Sequence, residues 1–330
     1  MIYKRKFPNT RLRRLRSNSN IRDLVREHNV TANDLIQPLF IKEGLKGTEA
    51  IEQMPGIFRY GLDSVIKEVE EIASLGIKSI ALFPVIDPDK KDPEGSEAVN
   101  NNNFICNAIK EIKSAVPEIL IISDVALDPY TTHGHDGIMI DDNIDNDLTL
   151  DQLVKQSIAL AESGADIIAP SDMMDGRIKA IRKALENNNF KNTILLSYAA
   201  KYNSKFYGPF RNAVGSSSNL GKSSKAEYQM DVANVDEALH EVALDLNEGA
   251  DIVMVKPGMP YLDIISKVKD TFNVPTFAYQ VSGEYSMLKS AIHNKWLESS
   301  VITESLMCFK RAGADAVLTY AAKEIIKELN

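Results

Sequence analysis

The sequence predicts an α/β fold of the (β/α)8 TIM-barrel class, preceded by an extended N-terminal arm. Three observations predict it. First, eight short runs rich in apolar and β-branched residues recur along the chain, at 35–41, 79–85, 119–125, 167–172, 194–199, 252–256, 276–281 and 316–320. Second, amphipathic segments of helical period separate them, such as 63–75, 150–163, 235–248 and 298–311, many following Asp, Ser or Asn and ending at Gly. Third, three junctions nearly repeat one another: Gly164-Ala165-Asp166, Gly249-Ala250-Asp251 and Gly313-Ala314-Asp315, each followed by an apolar pair. There Gly can end a helix in the left-handed conformation and the chain can enter a buried parallel strand. An open doubly wound sheet would show a Gly-rich phosphate turn after its first strand, and none follows Ile41.

Composition narrows the class. With 44% hydrophobic and 25% charged residues the chain is an ordinary globular one, which excludes disorder and fibre. No apolar run approaches the ~18 residues needed to cross a bilayer, and no secretory signal opens the chain, so a cytoplasmic protein is expected. Organelle import of an arm-bearing precursor is the other reading. Cys106 and Cys308 are too few for a disulfide framework or a thiolate zinc site and read as small core hydrophobes.

Charge is unevenly spread. Residues 1–26 hold nine Lys or Arg against one acid, Asp23, whereas the whole chain has a net charge of −8. A basic arm and an acidic body are complementary, so 1–34 is expected to embrace a neighbouring subunit and 35–330 to form the catalytic barrel. A solvated tail and a targeting segment are the other uses of such a terminus. Nucleic acid is disfavoured, because no aromatic stacking platform accompanies the arginines.

In a barrel of this class the chemistry sits where strands end at their C-terminal side. Read together, those positions are Asp124, Asp172, Lys201, Lys256, Ser282 and Tyr320. The two lysines are the informative pair. Lys256 closes the run Ile252-Val253-Met254-Val255 and precedes Pro257-Gly258, so its ammonium is expected to be poorly solvated. Desolvation and a second nearby cation, Lys201, both favour a free amine able to attack a ketone. The plainer alternative is lysines that snorkel to water or pair with Asp124 or Asp172.

Two loops add to the rim. In 124–137, His133 and His135 flank a glycine beside Asp128 and Asp136, which allows a metal site or a loop held by histidine hydrogen bonds. The acidic run 141–147 lacks the Gly and closing Glu of a calcium loop and reads as a solvated turn. The segment of about 202–234 is long for a strand-to-helix connection and is expected to act as a lid. Its Arg211, Lys222 and Lys225 suit an anionic substrate, Arg in particular by a two-pronged grip on carboxylate.

Four stretches carry a resemblance: 254–263 (MVKPGMPYLD), 197–201 with 206–211 (SYAAK, FYGPFR), 169–177 (APSDMMDGR) and 279–285 (YQVSGEY). On these the chain resembles the porphobilinogen synthase, or 5-aminolevulinate dehydratase, family nearly end to end, arm included. The resemblance implies a lyase of porphyrin and haem biosynthesis that condenses two 5-aminolevulinate molecules to porphobilinogen, losing two waters through lysine Schiff bases. Lys256 would bind the first substrate and Lys201 the second. Ser282 and Tyr320 would hold the first carboxylate, and Arg211, Lys225 and Gln229 the second; Asp124 is counted among the substrate-binding residues. A homo-octamer joined through N-terminal arms is implied, as is an allosteric Mg²⁺ at Glu241, with Asp172 in an outer shell.

One departure changes the metal expectation. Where the zinc-using branch has three cysteines, this chain has Ala126, Asp128 and Asp136. Without thiolates a catalytic Zn²⁺ is not expected, and any cation at Asp128 and Asp136 would be hard and oxygen-ligated. The competing reading of the barrel is another class I aldolase-like Schiff-base lyase, which needs only one lysine.

Overall fold

All eight expected strands form, and they close on one another in chain order. A computed structural model describes residues 4–214 and 224–329. Its strands are Leu35–Lys42, Ser79–Val85, Leu120–Val125, Ile167–Pro170, Ile194–Lys201, Ile252–Lys256, Thr276–Gln280 and Ala316–Thr319. Each pairs in parallel with the next, and the eighth returns to the first through Leu35 opposite Val317. Closure removes the sheet edges and buries both strand faces, which is why the strands read as continuous apolar runs rather than alternating ones.

Strand ends differ from expectation by one or two residues, most usefully at Lys201. It is the last residue of the fifth strand, in register with Lys256 on the sixth.

The three Gly-Ala-Asp repeats have one structural meaning. Gly164, Gly249 and Gly313 take φ of 102°, 109° and 107°, ending their helices in the left-handed region. The aspartate that follows then reaches sideways. Asp166 accepts the Ile121 N–H at 2.8 Å and meets Lys113; Asp251 accepts Leu195 N–H at 2.8 Å and meets Arg182; Asp315 accepts Thr276 N–H at 2.7 Å and meets Lys269. Each aspartate thus satisfies a backbone donor near the start of the preceding strand and an ammonium or guanidinium from the helix that leads into that strand. These clamps line the face opposite the rim.

Additions decorate the barrel. The antiparallel strands Thr48–Ala50 and Phe58–Tyr60 extend it at the first strand. A second hairpin, Ile138–Ile140 with Asn143–Asp145, corrects the reading of 141–147 as a solvated turn. Asp141 and Asp142 take φ of 47° and 63°, suited to a two-residue hairpin turn, and Asp145 caps the helix Asn146–Glu162 through the Leu148 N–H. That helix starts before 150 because Asp145 supplies an N-cap there. Of the cysteines, Cys106 is buried as expected, whereas Cys308 is partly exposed. Between residues 4 and 34 no residue is buried, and a short helix, Ser19–Leu24, stands in this segment. No described helix is long and apolar enough to cross a membrane.

Candidate active site

The rim is built around the two lysines, which lie side by side. Lys201 and Lys256, on adjacent strands, line one small cavity of about 30 Å³ with Phe83, Pro84, Asp124, Asp128, Ser171 and Phe210. They are only 6% and 7% exposed.

Their surroundings differ. Around Lys256 stand four aromatic rings: Tyr279, Tyr198, Phe210 and Tyr207, with centroids 4.7, 5.0, 5.3 and 5.5 Å from Nζ. No acceptor among the described residues hydrogen-bonds this amine. Burial, reinforced by the charge on Lys201 and only partly offset by Asp124, Asp128 and Asp136, lowers its pKa to about 7. Lys201 instead donates to the Ser171 carbonyl and lies 3.3 Å from Asp136. The two amines thus differ in surroundings: Lys256 sits among rings without a hydrogen-bond acceptor, whereas Lys201 meets a carbonyl and a carboxylate.

Lys225 completes an ion cluster. Its Nζ lies 2.6 Å from Asp136 and 3.2 Å from Asp128, all three groups being almost wholly enclosed. Burial alone would lower the Lys225 pKa, but the two carboxylates raise it. For Asp136 burial is outweighed by Lys201 and Lys225, which hold it at about 2, whereas burial raises Asp128 despite Lys225. Asp124 is half-buried, its Oδ1 enclosed and unbonded, and burial, countered by both rim lysines, brings it to about 6.

The histidines are loop ties. His133 Nε2 meets the Pro93 carbonyl, its Nδ1 accepts the His135 N–H, and His135 Nδ1 meets the Tyr228 hydroxyl at 3.2 Å. Among the described residues no group of three or more His, Cys, Asp or Glu side chains gathers at metal-ligand spacing.

Ser282 and Tyr320 fall on the Lys256 side. The Ser282 hydroxyl accepts the Phe210 N–H at 2.9 Å, docking the helix Gly208–Ala213 of the segment expected to act as a lid. Tyr320 shares a 2.8 Å hydrogen bond with Tyr279, whose ring faces Lys256. Arg211 is half-buried in the last turn of the lid helix. Arg59 clamps the end of that helix, donating to Ala213 at 2.6 Å and Asn212 at 2.8 Å, and pairs with Glu49. Lys222 lies outside the described residues.

Gln229 and Glu241 meet elsewhere, on a separate cavity of about 420 Å³ shared with Asn146, Asp175, Asp231 and Glu237. There burial, opposed by Arg177 and aided by Asp245, Asp175 and Glu237, raises Glu241 to about 7. Asp172 does not line that cavity. It is fully buried, 3.6 Å from Arg177, and burial raises it to about 6 against that guanidinium. Arg177 continues to Asp245 at 3.2 Å and Ser197 at 3.1 Å, linking the Glu241 helix to the fifth strand.

Sequence reasoning missed Arg177, Arg59 and the aromatic box. Tyr198, Tyr207, Tyr279 and Phe210 look like core residues in a linear reading; only their convergence from different strands and the lid reveals them.

A parallel barrel with two enclosed lysine amines in register at its C-terminal rim defines an enzyme that handles carbonyl compounds through lysine adducts. The chain belongs to the delta-aminolevulinic acid dehydratase family, whose model matches residues 9–328. It is 53% identical over 320 residues to the delta-aminolevulinic acid dehydratase of Bradyrhizobium diazoefficiens, covering 97% of this chain and 90% of that one. The Methanothermus sociabilis enzyme of the same name is 52% identical over 98% of this chain and 100% of its own. Among solved structures, the Toxoplasma gondii dehydratase, or porphobilinogen synthase, in complex with its product porphobilinogen is similar at a TM-score of 0.95 and 45% identity. That likeness covers 97% of this chain and 91% of that chain.

Proposed function

We propose that this chain is a porphobilinogen synthase, condensing two 5-aminolevulinate molecules to porphobilinogen with loss of two waters. The observation that carries the reading is the shared cavity of Lys201 and Lys256: two ketones need two amines within one enclosure. The neutral Lys256 amine attacks the first ketone and water leaves to give a Schiff base; Lys201 does the same for the second molecule. The unbonded oxygen of Asp124 suits a substrate ammonium or a proton in transit between these steps.

Carboxylate roles follow the two sides of the site. Ser282 and Tyr320 would hold the first substrate, being joined to the Lys256 box through Phe210 and Tyr279. Arg211, Lys225 and Gln229 would hold the second. For Lys225 this requires exchanging its bonds to Asp128 and Asp136 for the substrate carboxylate, and for Gln229 a shift of the lid from the Glu241 cavity. Since Phe210 packs beside both lysines, admission of substrate means displacing the lid helix.

For metals, the donor chemistry favours a hard ion. Ala126, Asp128 and Asp136 provide no thiolate for a tight Zn²⁺, and the two carboxylates already meet ammonium groups. Glu241, amid further acids on a polar cavity, suits a hydrated Mg²⁺ that would lessen their mutual repulsion. Asp172 would act on such an ion only through Arg177. We further read the basic arm as a subunit contact in an octamer and the cytoplasm as the compartment.

Incubation with 5-aminolevulinate and borohydride, followed by peptide mass spectrometry, tests the central claim. Adduct should accumulate at Lys256 first and Lys201 second, and Lys201→Ala should abolish porphobilinogen formation. Turnover surviving that substitution would favour an aldolase-like lyase with one working lysine.

A further inference from the structure

We propose that Glu284 is a positioning residue whose carboxylate joins the turn after Lys256 to the turn bearing Ser282, fixing the separation between the Schiff-base nitrogen and the anchor for the same substrate. The inference rests on the roles of Lys256 and Ser282 given above.

Glu284 is the third residue of the helix Ser282–His293 and is wholly buried. One carboxylate oxygen accepts the Val281 N–H at 2.5 Å, as a Glu in that position of a helix commonly does. An ordinary cap ends there. Here the other oxygen crosses to the loop of the neighbouring strand and accepts the Met259 N–H at 2.5 Å, with the Gly258 N–H also directed at the carboxylate. Those donors lie two and three residues beyond Lys256. Val281 and Ser282 begin the adjoining helix, so a single side chain spans two rim turns.

The arrangement is costly for a mere cap. No Lys, Arg or His pairs with Glu284 among the described residues, and burial pushes its pKa up to about 8 against the three N–H bonds. Both turns also lack slack. A Cβ on Gly258 would stand 2.3 Å from the Phe309 ring, and one on Gly283 would stand 2.4 Å from the Phe206 carbonyl oxygen. A shift of either turn is therefore passed on, and because Ser282 also receives the Phe210 N–H, it reaches the lid helix.

The test compares full-length wild type, Glu284→Gln and Glu284→Asp with 5-aminolevulinate, reading KM, kcat and the rates of borohydride trapping at Lys256 and Lys201. Glu284→Gln keeps the shape but turns an acceptor into a donor facing an N–H. It should raise KM and slow trapping at Lys256 about 10-fold, with kcat at saturation changed less, because misplaced reacting groups are costly even at small displacements. Glu284→Asp keeps the carboxyl group and can cap Val281, but is too short to reach Met259. It should behave like Glu284→Gln, whereas a helix-cap role predicts that Asp restores wild-type KM. Wild-type KM and Lys256 trapping in both variants, or rescue by Asp, would overturn the inference. If Glu284→Gln does not fold, Glu284→Asp decides alone, and failure of both to fold would overturn it in favour of a fold-wide role. Absence of any adduct in the wild type would instead sink the proposed function.

Discussion

Lys256 shows at the scale of one residue how a site is made at the expense of stability. An unfolded lysine keeps its proton to about 10.5, whereas this one releases it near 7 in the folded chain. Between those values the unfolded state binds more protons, so the contribution of this group to stability rises with pH and is unfavourable at neutrality. Two outcomes are expected. Borohydride trapping at Lys256 should fall about 10-fold per pH unit below 7, as the neutral amine is lost. Lys256→Met should abolish turnover yet raise the melting temperature, measured by calorimetry, since a thioether fills the aromatic box without a desolvated charge. An unchanged or lower melting temperature would mean that the four rings stabilise the ammonium more than burial destabilises it.

Individual elements divide cleanly between stability and chemistry. At the face away from the rim, Asp315→Ala would leave the buried Thr276 N–H unsatisfied, a loss of about 1–2 kcal/mol readable as a lower urea midpoint with KM unchanged. The Lys269 pair adds little to that figure, because Asp315 is partly exposed. At the rim, Arg59→Ala removes two donors from the end of the lid helix that carries Arg211. Steady-state kinetics should show KM raised about 3- to 10-fold with a smaller effect on kcat. Unchanged KM would mean that the Ser282 contact with Phe210 suffices to seat the helix.

For the whole molecule, the contrast between a basic, unburied arm and an acidic body supports the proposed assembly through arms. Removal of residues 1–34 should reduce the particle to smaller species by sedimentation, and high salt should shift the intact chain in the same direction. Chelation of Mg²⁺ should lower both activity and particle size in the wild type, and Glu241→Gln should abolish the response to added Mg²⁺. Constant activity and size in chelator would remove Glu241 from any regulatory role.

Much of this was legible in one dimension. Barrel class, eight strands, the repeated helix-ending glycines and the rim lysines could all be read because backbone hydrogen bonding and side-chain periodicity are local, and a strand buried on both faces must be apolar throughout. The four recognised stretches supplied the substrate, which no spacing could name. Tertiary structure alone decided what each charged group meets. Closure of the barrel set Lys201 in register with Lys256, gave Lys225 to Asp128 and Asp136, separated Glu241 and Gln229 from the lysine cavity, and enclosed one amine in rings drawn from three segments. Burial and charge act through space, so a lysine's protonation belongs to neighbours that other strands and loops bring to it.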